Sequence, residues 1–271
     1  MVKSDRDLRL PTSDELPCSD DTPVDNENQN FIPNLLLFLL KSIWESRSDW
    51  FFGVDMGIYH TTGITPLVPV VPDGFLSIGV ERHRRTTEIA EDVRQSRPRH
   101  GKQRKSYVLW EENNIAPIWV LEVVSYTPGE EYDKKMAIYA KLGVLYYIIY
   151  NSDYWDRDRH QPFEVYRLID GEYCLQIGEP YWMPEIGLGI GRGTYQDGET
   201  ELEVLYWYDR QGNRYLTAEE LAEQAQQQLE QTQQQLEQTQ QQLEQAQQQF
   251  EANQQLLERY RQQFGDLSED K

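Results

Sequence analysis

With 271 residues and a formal charge of −20, the chain is long enough for one domain of ordinary size plus appendages, and too acidic to be coated with nucleic acid. Its two cysteines, Cys18 and Cys174, stand in unrelated contexts and give no disulfide framework. The longest apolar run, residues 35–40, is far short of the roughly 18 residues a membrane span needs, and residues 1–10 hold no apolar stretch, so a cytoplasmic protein without a membrane partner is expected.

Residues 1–30 hold eight acids and three bases among scattered Pro, Ser and Asn, and are expected to form a disordered tail. From Phe31 the character changes. Leu35, Leu36, Phe38, Leu39, Ile43 and Trp44 suit a helix packed on a core, ending within 46–49. Residues 50–59 read as a strand, and 67–80 as one or two more. Residues 81–105 carry nine Lys or Arg against four acids. This basic island is either a solvated insertion loop or an arm that contacts DNA phosphates, with Arg82, Arg84, Arg85, Arg97 and Arg99 as its candidate contacts.

Beyond the insertion, residues 107–110 and 118–124 read as strands, 130–142 as a helix capped by Gly143, and 144–150 as a further covered strand. Asp170-Gly171 marks a hairpin between 163–168 and 172–177. A late strand over 202–208 precedes a turn at Gln211-Gly212-Asn213. The fold class is therefore α/β: a mixed sheet over 31–215 flanked by helices, with a strand–helix–strand crossover at its centre. Residues 216–271 are of another kind. Thr217-Ala218-Glu219-Glu220 is a capping box, Leu229, Leu236, Leu243, Phe250 and Leu257 recur every seven residues, and about half of 224–263 is Gln. Ala225, Thr232, Thr239 and Ala246 form the companion phase. The segment is either a coiled coil that makes the protein a homodimer or a single long helix.

Glu122 is the residue that a structural role explains least well. It lies in Ile118-Trp119-Val120-Leu121-Glu122-Val123-Val124, apolar on both strand faces, where an ionised carboxylate needs a cation, a lysine or a metal. A core salt bridge is the plain alternative, with Lys135 or an insertion arginine as partner. Lys135 shares its helix face with Tyr132, Tyr139 and Leu142 and so points inward, whereas Lys134 lies on the face of Glu131 and Lys141. Asp73, in Pro72-Asp73-Gly74, is either a turn residue or a second acid of the same site, one strand away. Asp55, in Gly53-Val54-Asp55-Met56, is either a third ligand or a surface acid.

At these residues the chain resembles the PD-(D/E)XK nuclease superfamily, and within it the large cyanobacterial Uma-two family of restriction-endonuclease-like proteins. The matching phrases are Val-Val-Pro-Asp-Gly ending at Gly74, Trp-Val-Leu-Glu-Val-Val-Ser over 119–125, and Lys135-x-x-x-Tyr139-x-x-x-Gly143-Val144, then Tyr146-Tyr147. The resemblance covers about residues 31–215. It implies a restriction-endonuclease-like core and a divalent metal, Mg2+ or Mn2+, held by Asp73 and Glu122 with Asp55 as a further candidate. The superfamily lysine normally stands two residues after the second acid, a place taken here by Val124. The resemblance implies a lysine moved to the following helix, which is Lys135, to orient the attacking water and stabilise charge on phosphorus. For the first-helix acid of the superfamily, Glu45 matches poorly and the resemblance leaves Asp55 to stand in.

A Mg2+-dependent endonuclease cutting DNA is thus expected, with Asp73, Glu122 and Lys135 catalytic. The alternatives are a nuclease-derived DNA- or protein-binding module without turnover, and an assembly protein whose coiled coil is the working part. Four His without ligand-like spacing do not support a zinc hydrolase, and the glycines of 187–193 lack the Lys-Ser/Thr of a phosphate loop.

Overall fold

The structure is a computed structural model that describes residues 9–17, 26–63, 65–85, 101–126 and 130–265. It divides into two units, Met1–Tyr215 and Leu216–Lys271. The first unit opens with helix α1 (Glu27–Ile43), whose N-cap Asn26 accepts a hydrogen bond from the Gln29 N–H at 3.0 Å. The strands are β1 (Trp50–Val54), β2 (Ile58–Tyr59), β3 (Gly74–Ile78), β4 (Arg84–Arg85), β5 (Gly101–Lys102), β6 (Tyr107–Val108) and β7 (Trp119–Val123). Helix α2 (Lys134–Leu142), β8 (Tyr146–Tyr150), the single-turn α3 (Trp155–Asp158), β9 (Phe163–Ile169) and β10 (Glu172–Leu175) follow, and then β11 (Tyr181–Met183), β12 (Leu188–Asp197) and β13 (Thr200–Tyr208).

Six strands form the central sheet in the order β1-β3-β7-β8-β9-β10. Every pairing is antiparallel except β7 with β8, the pair joined through α2. The strand period of two splits the core between the two faces. Trp119, Leu121 and Val123 face α1 and the sheet β11-β12-β13, where the Trp207 indole N–H donates to the Leu36 carbonyl at 2.9 Å. Val120, Val124, Tyr147 and Ile149 face α2 and the β2–β6 pair through Tyr139, Leu142 and Tyr107. Glu122 shares this second face, so α2 lies across it. The expected mixed sheet with flanking helices is the fold.

Several local readings change. The first helix begins at Glu27, earlier than the apolar run suggested, because Pro33 sits inside it and interrupts the pattern without ending the helix. Residues 9–17, expected as part of a tail, lie against the domain: Leu16 is buried beside Tyr59 and Val108, and the Trp110 indole donates to the Pro11 carbonyl at 2.8 Å. The span 50–59 is two strands, broken at Asp55, whose φ of 47° is left-handed. The insertion is anchored by the antiparallel pair β4–β5; residues 86–100 lie outside the described residues.

The glycine-rich stretch near 190 is strand β12, which the sequence reading passed over. Gly189 lies between the core residues Leu188 and Ile190, and a Cβ added at Gly189, Gly191 or Gly193 would meet the Tyr208 Cβ at 3.1 Å, the Pro180 Cα at 3.0 Å and the Tyr206 ring at 2.7 Å respectively. Glycine is required there by close approach.

The second unit is one helix, α4 (Ala218–Phe264). Its capping box is formed: the Glu220 N–H donates to the Thr217 hydroxyl at 3.2 Å and the Thr217 N–H to the Glu220 carboxylate at 2.8 Å. Among the described residues, no helix is long and apolar enough to cross a membrane.

Candidate active site

Glu122 lies on the second-last position of β7, and its side chain is only 1% exposed. Antiparallel pairing of β3 with β7 sets Gly74 against Leu121, which brings the preceding Asp73 opposite Glu122. There the Asp73 carboxylate replaces a main-chain partner: its Oδ2 accepts the Val123 N–H at 2.6 Å. The Pro-Asp-Gly motif therefore enters a strand and delivers its acid to the neighbouring one. Helix α2 supplies two donors from one face, at i and i+4. The Lys135 ammonium donates to Glu122 Oε2 at 2.8 Å and reaches the Val71 carbonyl at 3.4 Å, while the Tyr139 hydroxyl donates to Glu122 Oε1 at 2.6 Å.

Glu131 adds a third acid that the sequence reading left on a solvated face. It is buried, and its carbonyl accepts the Tyr147 hydroxyl at 2.8 Å. The helical-face argument fails for it because α2 starts only at Lys134, so 130–133 do not follow the helix period. Lys134, by contrast, is exposed and pairs with Glu130. A further contributor is Gln29 on α1, whose side-chain amide donates to the Val123 carbonyl at 3.3 Å. The peptides of Val123 thus connect Asp73 on one side of the residue with α1 on the other.

Three carboxylates against one ammonium give the group an excess of negative charge. Burial, and then the charge of Glu122, hold the Asp73 carboxyl well above its ordinary value. Burial also raises Glu122, although Lys135 and the Tyr139 hydrogen bond pull the other way. Burial lowers the basicity of Lys135, but Glu122, Asp73 and Glu131 outweigh it and leave the ammonium more firmly protonated than a free lysine. Tyr139, buried and beside Glu122, is raised and remains a phenol donor.

The family model described as Uma2, "putative restriction endonuclease", matches residues 20–193, well over half of the chain. The chain belongs to the Uma2 family. It is thereby a restriction-endonuclease-like protein of the PD-(D/E)XK kind, and the matched span holds Asp73, Glu122, Lys135 and Tyr139. No curated protein and no solved structure matches the chain.

The donor set of this Uma2 site fits a hard divalent cation. Two carboxyl groups converge beside a single ammonium, and each oxygen of Glu122 keeps a lone pair beyond the one used by Lys135 or Tyr139. Among the described residues no three His, Cys, Asp or Glu side chains form a metal cluster, so carbonyls and water would complete the shell, as magnesium commonly accepts. Asp55 is exposed just past β1, and its backbone N–H donates to the Asp73 carbonyl at 3.1 Å. The charges acting most on Asp73 are Glu122, Lys135 and Glu131.

Of the candidate DNA contacts, Arg82 stacks its guanidinium 4.2 Å from the Trp50 ring centre, Arg84 and Arg85 form β4, and Arg97 and Arg99 lie outside the described residues. Another base of the island is structural. Arg104 is buried against Glu112 at 2.8 Å and donates to the carbonyls of Glu81 and Arg82, closing the base of the insertion.

Proposed function

We propose that this Uma2 protein is a divalent-metal-dependent endonuclease that hydrolyses DNA phosphodiester bonds. The reading is carried by one observation: Asp73 and Glu122 meet across β3 and β7, with the Lys135 ammonium on Glu122. Asp73 and Glu122 would hold Mg2+ or Mn2+, which when bound supplies Lewis acidity toward a phosphoryl oxygen and acidifies a bound water. The chain's own residues do the rest. Lys135 keeps a fixed positive charge at the Glu122 oxygen, where it can orient a water and offset negative charge developing on phosphorus. Its side chain is 28% exposed against 1% for Glu122, so the site is reached from the Lys135 side. Tyr139 holds the other oxygen of Glu122 and limits its rotation. Arg82, Arg84, Arg85, Arg97 and Arg99 would meet backbone phosphates beyond the site.

The test is cleavage of plasmid and oligonucleotide DNA with Mg2+ or Mn2+. Activity should vanish with EDTA, and in Asp73→Ala and Glu122→Ala variants that keep their fold. Cutting that survives chelation or either substitution refutes the assignment.

One observation favours a second reading, a binding module without turnover: both oxygens of Glu122 already have protein donors, as in a closed core ion pair. Wild-type protein that binds DNA, gains no thermal stability from Mg2+ and cuts nothing would establish that alternative.

For assembly, we infer a homodimer through α4. Leu229, Leu236, Leu243, Phe250 and Leu257 are each more than half exposed along one stripe. Between them, the hydroxyls of Thr232 and Thr239 donate to the Gln228 and Gln235 carbonyls at 2.8 Å, so that seam positions present methyl groups with no unmet hydroxyl donor. The residues flanking the two seam phases are largely Gln, so the recurring Glu230, Glu237, Glu244, Glu251 and Glu258 stand one position off the stripe.

A further inference from the structure

The strands that build the site also carry an unusual aromatic surface just past it. Tyr126 follows Glu122 by four residues, at most about 13 Å along an extended chain. On the parallel neighbour β8, Val123 is in register with Tyr150, and Tyr154 follows four residues later. The two rings consequently meet at the same end of the sheet as the acids, 6.1 Å apart and edge to face. Tyr126 is 75% exposed and Trp155, which follows Tyr154 in sequence, is 43% exposed, so neither ring is held there by burial in the core. The arrangement is nonetheless fixed. The Arg157 guanidinium stacks 4.4 Å from the Tyr154 ring centre, donates to the Tyr126 carbonyl at 2.8 Å and forks onto Asp158 at 2.7 and 2.9 Å. Asn151 holds the loop through the Tyr154 N–H at 2.9 Å and through Asp158 at 3.0 Å.

The charge around these rings limits what they can bind. Asp153, Asp156 and Asp158 stand against Arg157 and Arg159, and Arg157 is already paired. A phosphate backbone gains little from such a surface, whereas the face of a nucleobase is uncharged and stacks on any exposed ring. Bases inside a duplex have no free face to offer. We propose that the exposed rings of Tyr126 and Trp155, braced by Tyr154 and Arg157, form a stacking platform for an unpaired nucleobase beside Asp73 and Glu122, and that the substrate class is DNA with single-stranded or extruded nucleotides rather than intact duplex. The substrate assignment rests on the nuclease reading above; the stacking itself does not.

The experiment uses the full chain and a short single-stranded oligonucleotide containing 2-aminopurine, with the same strand in a blunt duplex as comparison. Binding should quench the single-strand fluorescence, and Tyr126→Ala and Trp155→Ala should each weaken binding about tenfold, equivalent to about 1.4 kcal/mol. Tyr126→Phe should retain wild-type affinity. The salt dependence should be the same in all variants, because a ring and not a charge has been removed. Equal affinity in the alanine variants, or a changed salt slope, overturns the platform.

Cleavage in Mg2+ separates the two claims. Quenching that depends on the rings, in a protein that cuts nothing, supports the platform and defeats the nuclease reading. Metal-dependent cutting of blunt duplex and single strand at a ratio the alanine variants leave unchanged does the reverse.

Discussion

Replacing Asp73 by Asn should stabilise the metal-free protein at neutral pH, and the gain should reverse when Mg2+ is added. In the unfolded chain this carboxyl ionises near its ordinary value of 3.8, whereas in the fold burial and the adjacent Glu122 keep it protonated to a much higher pH. Between the two values the folded state binds a proton that the unfolded state has lost. Stability therefore falls as pH rises through that window and stays at the lower level above it. Asn copies the shape of the neutral acid and its oxygen can still accept the Val123 N–H, held at 2.6 Å in the parent, so the variant escapes the loss. Each pKa unit of displacement corresponds to about 1.4 kcal/mol. In a domain of this size 1 kcal/mol moves the midpoint of thermal unfolding by about 2–4 °C. Melts in EDTA at pH 7.5 should place the Asn variant above wild type, with the difference shrinking towards pH 4. With Mg2+ at 100 times its dissociation constant, wild type should gain about 2.7 kcal/mol and the variant much less. An Asn variant no more stable than wild type in EDTA would show that Asp73 carries no electrostatic penalty. A wild type that ignores Mg2+ would show that the acid pair is not a metal site.

Lys135→Met leaves the buried Glu122 with Tyr139 as its donor and no cation, and should cost about 3–5 kcal/mol in urea unfolding, most of it recovered in the Lys135→Met/Glu122→Gln double variant; strictly additive effects would deny the pair. Tyr139→Phe removes a hydrogen bond to a carboxylate, about 1.5–3 kcal/mol, and should move the acid limb of the cleavage profile to higher pH, since Glu122 loses a donor that favours its ionised form. An unmoved limb would make Tyr139 a packing residue only. Neutralising Arg82, Arg84, Arg85, Arg97 and Arg99 should weaken DNA binding and reduce its salt slope by about one unit per lost contact, measured by titration over a range of salt; an unchanged slope would leave residues 81–105 as a loop. Removal of residues 217–271 should leave a folded, metal-binding domain that sediments as a monomer, and unfolding of the truncated chain would contradict an independent domain.

What the sequence disclosed follows from where its signals are strong. Glu122 was conspicuous because a charge amid Trp119, Val120, Leu121, Val123 and Val124 contradicts the strand's own pattern, and the structure resolves the contradiction with Lys135 and Tyr139. Lys135 was legible from helical spacing, since α2 keeps a regular period from Lys134 onward. The same rule misplaced Glu131 by extending the helix four residues too far upstream. Gln29 gave no signal at all: it lies ahead of Pro33, in a polar stretch, and only the packing of α1 across β7 brings its amide to Val123. Strand β12 was lost for a related reason. Its glycines serve neighbours distant in sequence, Pro180, Tyr206 and Tyr208, and a local pattern records the missing side chains without recording what fills their space.

The same distinction orders the electrostatics of the site. Lys135 and Tyr139 come from one helix face and satisfy Glu122, which a sequence can specify by spacing alone. Asp73 is satisfied only in part, through the Val123 N–H, and burial with the neighbouring Glu122 holds its carboxyl protonated well above the usual range, an excess of acids over bases that arises when β3, β7 and the turn before α2 converge. A core ion pair would need none of this excess, since Lys135 and Glu122 already neutralise each other. Asp73 is therefore the residue on which a cation site and a closed Lys135–Glu122 salt bridge would differ, and its substitution is a sharper test of the proposed function than that of either partner in the pair.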